Sequence, residues 1–337
     1  MAYFRAPILA FVLCSPLLLA QPEVRVGALS FADYFAKLSG DSLELPAQYA
    51  RYSKGENLFQ FRRVQLWADG VLGSGFSARV LLEATDGSLD AQRRYSPFLK
   101  EVSLSWESPS PAVLLQLGLI PTPTWRLSEA LWGYRSLEKT LTDFWGWGSA
   151  VDFGLSLRIR LEHRGHQLLH ATAMVSGGEG VRAESNRGKK LLLQCAVQPL
   201  PGLWLEGYAD WESPTQGRDV VLLKGFLGYQ HERLTLGGEF LLRSQWGPNA
   251  LQQEPLAVSL FGRFRLLELP ALALVLRYDH TESDRRLSSA ATYRFGLIAV
   301  DYTPIPRVHL MPNLWLLTAE QMHPHVVPRV TVFVRYP

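Results

Sequence analysis

Cysteine is almost absent from this chain: its 337 residues include only Cys14 and Cys195. Charge is sparse as well, at 19% of residues, where an ordinary soluble domain carries about 25%. Long apolar runs are missing beyond the N-terminus. The best stretch, 256–276, is broken by Arg263, Arg265, Glu268 and Pro270, so it falls short of the roughly 20 residues that a spanning helix needs. A helical membrane protein is thereby excluded. No excess of one sign is present either, with 34 basic against 31 acidic residues and a net charge of +3. The arginines are scattered rather than clustered, which gives nucleic-acid binding no support. A hydrophobic fraction of 47% rules out disorder.

The N-terminus reads as an export signal. Arg5 precedes an apolar stretch from Ile8 to Ala20, interrupted by Ser15 and Pro16. A short positive region followed by such a run is a secretory leader. Residues 1–20 are expected to be removed, leaving 21–337 as one mature domain. Leu13 before Cys14 is a poor lipidation box. The mature chain then holds Cys195 alone and can form no internal disulfide, which suits a bacterial envelope protein.

What the mature chain has in abundance is alternation. Residues 151–161, VDFGLSLRIRL, alternate apolar with small or charged side chains without an error. The same period of two recurs in 76–83, 234–243 and 329–336. Successive side chains of a strand point to opposite faces, so each segment has one apolar and one polar face. About sixteen such segments are expected, the first near 24–38 and the last near 325–336. The phase change at Arg62 and Arg63 predicts a bulge. Connections alternate in length: short at 69–73, 108–112, 163–166, 198–202, 230–233, 268–271 and 303–306, long at 39–56, 86–97, 121–147, 177–187, 212–218, 247–253, 281–289 and 318–324. Tight turns at one end and long loops at the other describe an all-β transmembrane antiparallel barrel of the outer membrane, in which closure leaves no unpaired edge. Strands of about ten residues match a tilted span. Phe98, Trp106, Trp211, Tyr229, Tyr278 and Tyr336, near strand ends on the apolar faces, fit aromatic girdles. A soluble sandwich is the alternative that alternation alone allows.

The longest connection, 121–147, follows the fifth strand. Pro121 and Pro123 stop that strand, and Ser128 is placed to cap a short helix over 129–141. Because a sixteen-strand lumen is too wide for side chains to fill, this loop is expected to fold inward as a constriction. Its charged set is Arg126, Glu129, Arg135, Glu138, Lys139 and Asp143, with Arg135 and Lys139 on one helix face. Charges facing one another across a narrow passage act strongly on a solute. An outward lid or a subunit contact is the competing reading of the same loop.

The stretches FQFRRVQLWADGVLGSGFSARVLLEATDG, FLKEVSLSWES and LGLIPTPTWRLSEALWGYRSLEKTLTDFWGWGSAVDFGLSL resemble porins similar to the phosphate-selective porins. The likeness is good over roughly 57–160. It implies sixteen strands, a homotrimer, a third loop that lines the pore, and passive uptake of small hydrophilic solutes, often anions. Phosphate-selective members carry a dense basic ladder and a lysine-rich constriction. Here Arg126, Arg135 and Lys139 are balanced by Glu129, Glu138 and Asp143, and Pro337 follows the aromatic that ends such barrels.

Reading the polar face of each strand places Arg79, Arg158, Arg160, Lys224, Arg263, Arg265, Arg277 and Arg294 toward the lumen, with Glu83, Glu101 and Asp152. Lys190, Arg243, Arg329 and Arg335, and the acidic Glu206, Asp210, Glu239 and Asp279, join them. The basic excess is mild and predicts a weak anion preference, unless cross-strand pairing cancels it. The partners expected are small hydrophilic or anionic solutes and outer-membrane lipid. No cofactor and no metal is called for: His163 with His166 and His323 with His325 have no ligand companions at zinc-site spacing. No catalytic residue is assigned, since neither a Gly-x-Ser-x-Gly elbow nor a phosphate loop is present. A barrel hydrolase, for example through Ser156 and His170, and a closed adhesion or anchoring barrel are the alternatives.

Overall fold

The computed structural model describes residues 23–109, 113–163, 166–213, 217–248, 252–266, 268–269, 271–320 and 322–336. The leader expected at 1–20 and Pro337 lie outside these residues. So do the side chains of His163 and His166.

Period-two segments become sixteen strands. The first eight are β1 (Val24–Ala36), β2 (Asn57–Gly73), β3 (Phe76–Thr85), β4 (Phe98–Glu107), β5 (Val113–Pro121), β6 (Val151–His163), β7 (His166–Ser176) and β8 (Lys189–Leu200). The second eight are β9 (Leu203–Ser213), β10 (Asp219–Gln230), β11 (Leu234–Trp246), β12 (Leu256–Arg265), β13 (Leu272–Glu282), β14 (Thr292–Ile305), β15 (Val308–Ala319) and β16 (His325–Arg335). Each strand pairs antiparallel with its sequence neighbour, and β16 returns to β1 with Leu29 opposite Arg335, so the sheet is a closed barrel. Closure pairs the backbone polar groups of both outer strands and leaves no edge to template aggregation. Short turns gather at one end and long loops at the other, as the spacing predicts.

The expected bulge is present. Phe31 pairs with Arg63 and Ala32 with Phe61, leaving Arg62 as the extra residue. Two consecutive arginines therefore turn inward, where strict alternation would have sent one of them out. A second shift, between Leu81 and Leu82, does the same for Lys100 and Glu101. It also carries Phe98 opposite the inward Glu83, so this ring joins the inner face rather than the outer girdle. Outside, Leu117, Phe153, Leu155, Leu193, Leu227, Phe240, Leu260 and Ile298 form an exposed apolar belt, with Trp211, Tyr229, Tyr278 and Tyr336 exposed among them.

The inner face departs from expectation. Over β10 to β16 it is largely apolar and dry: Phe226, Phe261, Val275, Phe295, Leu297, Ala299, Met311, Trp315, Leu317 and Val327 pack into one cluster with residues from two loops. The first loop, 37–56, contributes Ala47, Tyr49 and Ala50. The third, 122–150, contributes Leu127, Leu131, Trp132, Tyr134, Leu137 and Phe144. A wall that carries a loop needs an apolar inner surface to hold it, so here both faces of the strands are apolar.

The third loop does fold inward, but its helix differs from the sequence reading. It forms α1 (Arg126–Trp132) and α2 (Leu141–Phe144), separated by turn. Trp125, not Ser128, is the N-cap residue of α1. Ser128 is instead in the helix, with its hydroxyl on the Trp125 carbonyl and on Glu239. Gly133 ends α1 in a left-handed conformation, so Arg135 and Lys139 share no helical face. Glycines in the wall let α1 approach. A side-chain carbon on Gly228 would meet the Leu131 side chain at 2.3 Å, and one on Gly237 would meet the Phe261 ring at 2.1 Å. The Phe261 ring lies over Gly237 and takes the Trp132 ring edge-on at 5.1 Å.

Charges of the wall staple the loop. Arg62 donates to the carbonyls of Ser136 and Leu137 at 2.6 and 3.1 Å, and Arg329 donates to Leu137 at 3.0 Å. The Glu138 carboxylate accepts from the Trp315 indole at 2.7 Å and from the Lys139 amide at 2.9 Å. Arg62 also reaches Asp33 at 3.4 Å. Asp33 takes hydrogen bonds from Tyr49 and from Thr331. In the first loop the Lys37 ammonium donates to the carbonyls of Asp41, Tyr49, Ala50 and Tyr52.

Two predictions follow from this packing. Arg62→Ala leaves Asp33 and Glu138 buried with their shared cation gone. Removing one partner of a buried ion pair costs about 3–5 kcal/mol, so the folded barrel in detergent should melt at a clearly lower temperature, read by gel migration against heating. The loop should also be acid-sensitive. Burial alone would push Glu138 and Asp143 up, but Arg62 and Arg329 on the first, and Arg135 and Lys139 on the second, hold both below the usual carboxylate range. A carboxylate depressed in the folded state stabilises it fully above its unfolded value, and that stabilisation is lost as pH falls through the folded value. Pepsin should therefore spare the loop near pH 5 and cut it near pH 2–3 while the barrel stays closed, the unfolded reference being about 4.

Candidate pore and its constriction

With the third loop docked on β10 to β15, the space left inside lies against β1 to β6 and runs to the short-turn end. It is a cavity of about 940 Å³. At the level of the third loop it is bounded by the loop on one side and by β2 to β4 on the other. From the loop come Arg126, Glu129, Arg135 and Asp143; from the strands come Arg63, Gln65, Arg79, Lys100 and Glu101.

Each side neutralises itself locally. On the loop, Arg135 reaches Asp143 at 2.7 Å and Glu129 at 3.7 Å. On the wall, Glu83 is nearly buried between Arg63 at 3.2 Å and Lys100 at 2.7 Å. Burial lowers the Arg126 guanidinium and Arg160 adds to that, while Glu101 works the other way. Toward the short-turn end the balance tips. Arg79 pairs with Asp69 at 2.8 Å and Glu101 at 2.9 Å, and Arg160 pairs with Glu107. Arg263, Arg265 and Arg335 line the cavity opposite, with Asp301 as their carboxylate. Among the described residues that line the cavity, eight cationic side chains stand against four carboxylates.

The structure sorts the sequence-predicted site residues into three groups. Arg126, Glu129, Arg135, Asp143, Arg79, Glu101, Arg263 and Arg265 border the cavity. Others face inward but are consumed by the packing beneath the loops. Lys224 is sealed under α1, bonded to the Thr124 carbonyl at 2.6 Å, Ser128 at 3.0 Å and Glu206 at 2.7 Å. Arg277 forks onto Asp279 and donates to the Lys139 carbonyl. Glu138 and Glu83 are buried in the clusters already described, Arg158 is buried in the wall, and Arg160 does not border the cavity and is paired with Glu107. Lys139 does not border the cavity and meets Arg277 through its backbone. Asp152 accepts from Ser176 at 3.0 Å and from the Gly178 amide at 2.9 Å, holding the fourth loop. The third group has one member: Arg294 is exposed and alternates with the buried Phe295 and Leu297, so it points out of the barrel. Reading β14 in the wrong phase placed it in the lumen, because the inner face of that strand is the more apolar one.

Four groups at the cavity were missed: Arg63, Lys100, Asp301 and His309. The first two are inward because of bulges. For Arg63 the phase change at 62–63 was the available signal; for Lys100 the sequence carries none. Ser156 and His170 are not brought together, since Ser156 sits opposite Met174 and His170 opposite Arg160, four rungs along the same ladder.

No family profile and no curated protein matches this sequence. Solved structures do match it in fold. An anion-selective porin from Comamonas acidovorans superimposes with a TM-score of 0.65 at 12% identity, over 94% of this chain and 100% of its own. The outer membrane channel DcaP of Acinetobacter baumannii gives 0.64 at 11% identity, over 94% and 97%. OmpT, an outer membrane protein of Vibrio cholerae in its trimer form, gives 0.65 at 9% identity, over 94% and 99%. At these identities the likeness is one of fold: this chain is similar in architecture to outer-membrane porins and channels.

Proposed function

We propose that this protein is an outer-membrane porin: a passive, water-filled passage for small hydrophilic solutes, with a mild preference for anions. The observation that carries the reading is the cavity beside the inward loop, where eight cationic side chains face four carboxylates. Fixed charges in a narrow, low-dielectric passage enrich the counter-ion. The exposed apolar belt supports a seat in lipid, because a closed barrel satisfies its backbone without water. The fold shared with an anion-selective porin and an outer membrane channel supports the same reading. No chemistry is needed: the work is done by the width and charge of the passage. Residues 1–20 are read as the export leader, and the assembly as a homotrimer, the form recorded for one neighbour in fold.

The full chain refolded into a planar bilayer should give stepwise conductance, in threes if trimers insert. A potassium chloride gradient should give a reversal potential toward chloride. Arg263→Gln combined with Arg265→Gln should move that potential toward zero, since it removes two of the cations. A silent bilayer would favour a closed, structural barrel, and potassium selectivity would end the anion preference. Separately, N-terminal sequencing of the membrane-extracted protein should begin at Gln21.

A further inference from the structure

Where the third loop meets the short-turn end of the wall, one carboxylate joins two elements. Asp301 of β14 is buried, and its oxygens accept from the Tyr134 hydroxyl of the loop at 2.9 Å. They also lie 2.9 and 3.0 Å from Nδ1 of His309 at the start of β15. The Thr303 hydroxyl is 3.3 Å from the same nitrogen, and the Phe333 ring packs against the imidazole at 5.5 Å. Unlike Asp301, the His309 side chain is 27% exposed, and it is the one histidine among the described residues that border the cavity.

The groups facing this pair are otherwise cationic. Arg263 and Arg265 of β12 border the same part of the cavity and act on Tyr134 together with Asp301. Arg335 of β16 borders it beyond Phe333, and its amide bonds the Arg307 carbonyl in the adjoining turn. β13 contributes the uncharged Leu272 and Ala273, the latter opposite Asp301. The Arg263 Nε is buried and has no hydrogen-bond partner, so this nitrogen is not spent on the wall. Asp301 is thus the carboxylate that offsets a group of arginines, and His309 is the group that can offset Asp301.

We propose that the Asp301–His309 pair sets the anion preference of the passage according to pH. The proposal rests on the porin reading above. With imidazole neutral, the pair carries one negative charge amid the arginines. With a proton on Nε2, Nδ1 still donates to Asp301 and the pair is neutral, so the passage gains one positive charge. Imidazole is the side chain whose charge ordinarily changes between pH 5 and 8. Glu138 and Asp143 in the loop, held below the usual carboxylate range by their guanidinium neighbours, stay charged through that window.

Reversal potentials in a potassium chloride gradient at pH 7.5 and pH 5 test this. One added charge within a Debye length of the path should raise the chloride-to-potassium permeability ratio about 2-fold at pH 5. His309→Gln should hold the ratio at its pH 7.5 value. His309→Lys should hold it at the acid value throughout. Asp301→Asn should raise it already at pH 7.5. His170→Gln, a change at the histidine opposite Arg160 on the barrel wall, should keep the step. A conducting pore whose step survives in His309→Gln, or vanishes in His170→Gln, would overturn this proposal alone. Absence of any conductance in the unaltered protein would overturn the porin reading, and this proposal with it.

Discussion

A ring of sixteen strands encloses more space than its own inward side chains can fill, and the architecture follows from how that space is occupied. The chain fills it with itself: the first and third loops fold inward and lie against one half of the wall. Everything distinctive about the interior then has a cause. The wall beneath the loops is apolar because it must bury them. The wall across from them is charged because it stays in contact with water. What is left between is the cavity, displaced to one side and toward the short-turn end.

The docked loop explains why counting inward charges overstates the electrostatics of the cavity. Lys224, Arg277, Arg329 and Arg62 all face inward, yet each is bonded to a loop carbonyl or to a buried carboxylate. A charge so held costs desolvation, which its partners offset, and it gives little field to a solute. The charges that remain effective are those with one side free: Arg126, Arg263, Arg265 and Arg335 at the cavity. Placement, more than number, gives the cavity its sign.

Much of the architecture was legible in the sequence. Strand number, connection rhythm and the Arg62–Arg63 bulge come from local patterns, because a strand's period of two is a backbone property; the inward course of the third loop comes from the width of the lumen that those strands imply. What was not legible depends on tertiary contact. The sequence predicts a helix over 129–141, but Gly133 and the pull of Arg62 and Arg329 on the following carbonyls break it into two short pieces. Arg294 was turned the wrong way because β14 buries Phe295 and Leu297 against a loop, which period alone cannot reveal. Lys100 was overlooked because its bulge lies in the pairing of β3 with β4, not in the composition of either strand.

The staples of the third loop draw on both extremities of the chain. Asp33 in β1 is bonded to Thr331 in β16, Arg62 in β2 and Arg329 in β16 grip neighbouring carbonyls, and Trp315 in β15 holds Glu138. These partners straddle the seam where the last strand meets the first. During biogenesis the third loop can therefore rest on β10 to β14 through Lys224, Arg277 and Asp301, but its last moorings wait for the final hairpin. Sealing of the cylinder and locking of the loop become a single, late event, and a truncated polypeptide lacking its terminal hairpin would keep the loop's resting place but lose its lock.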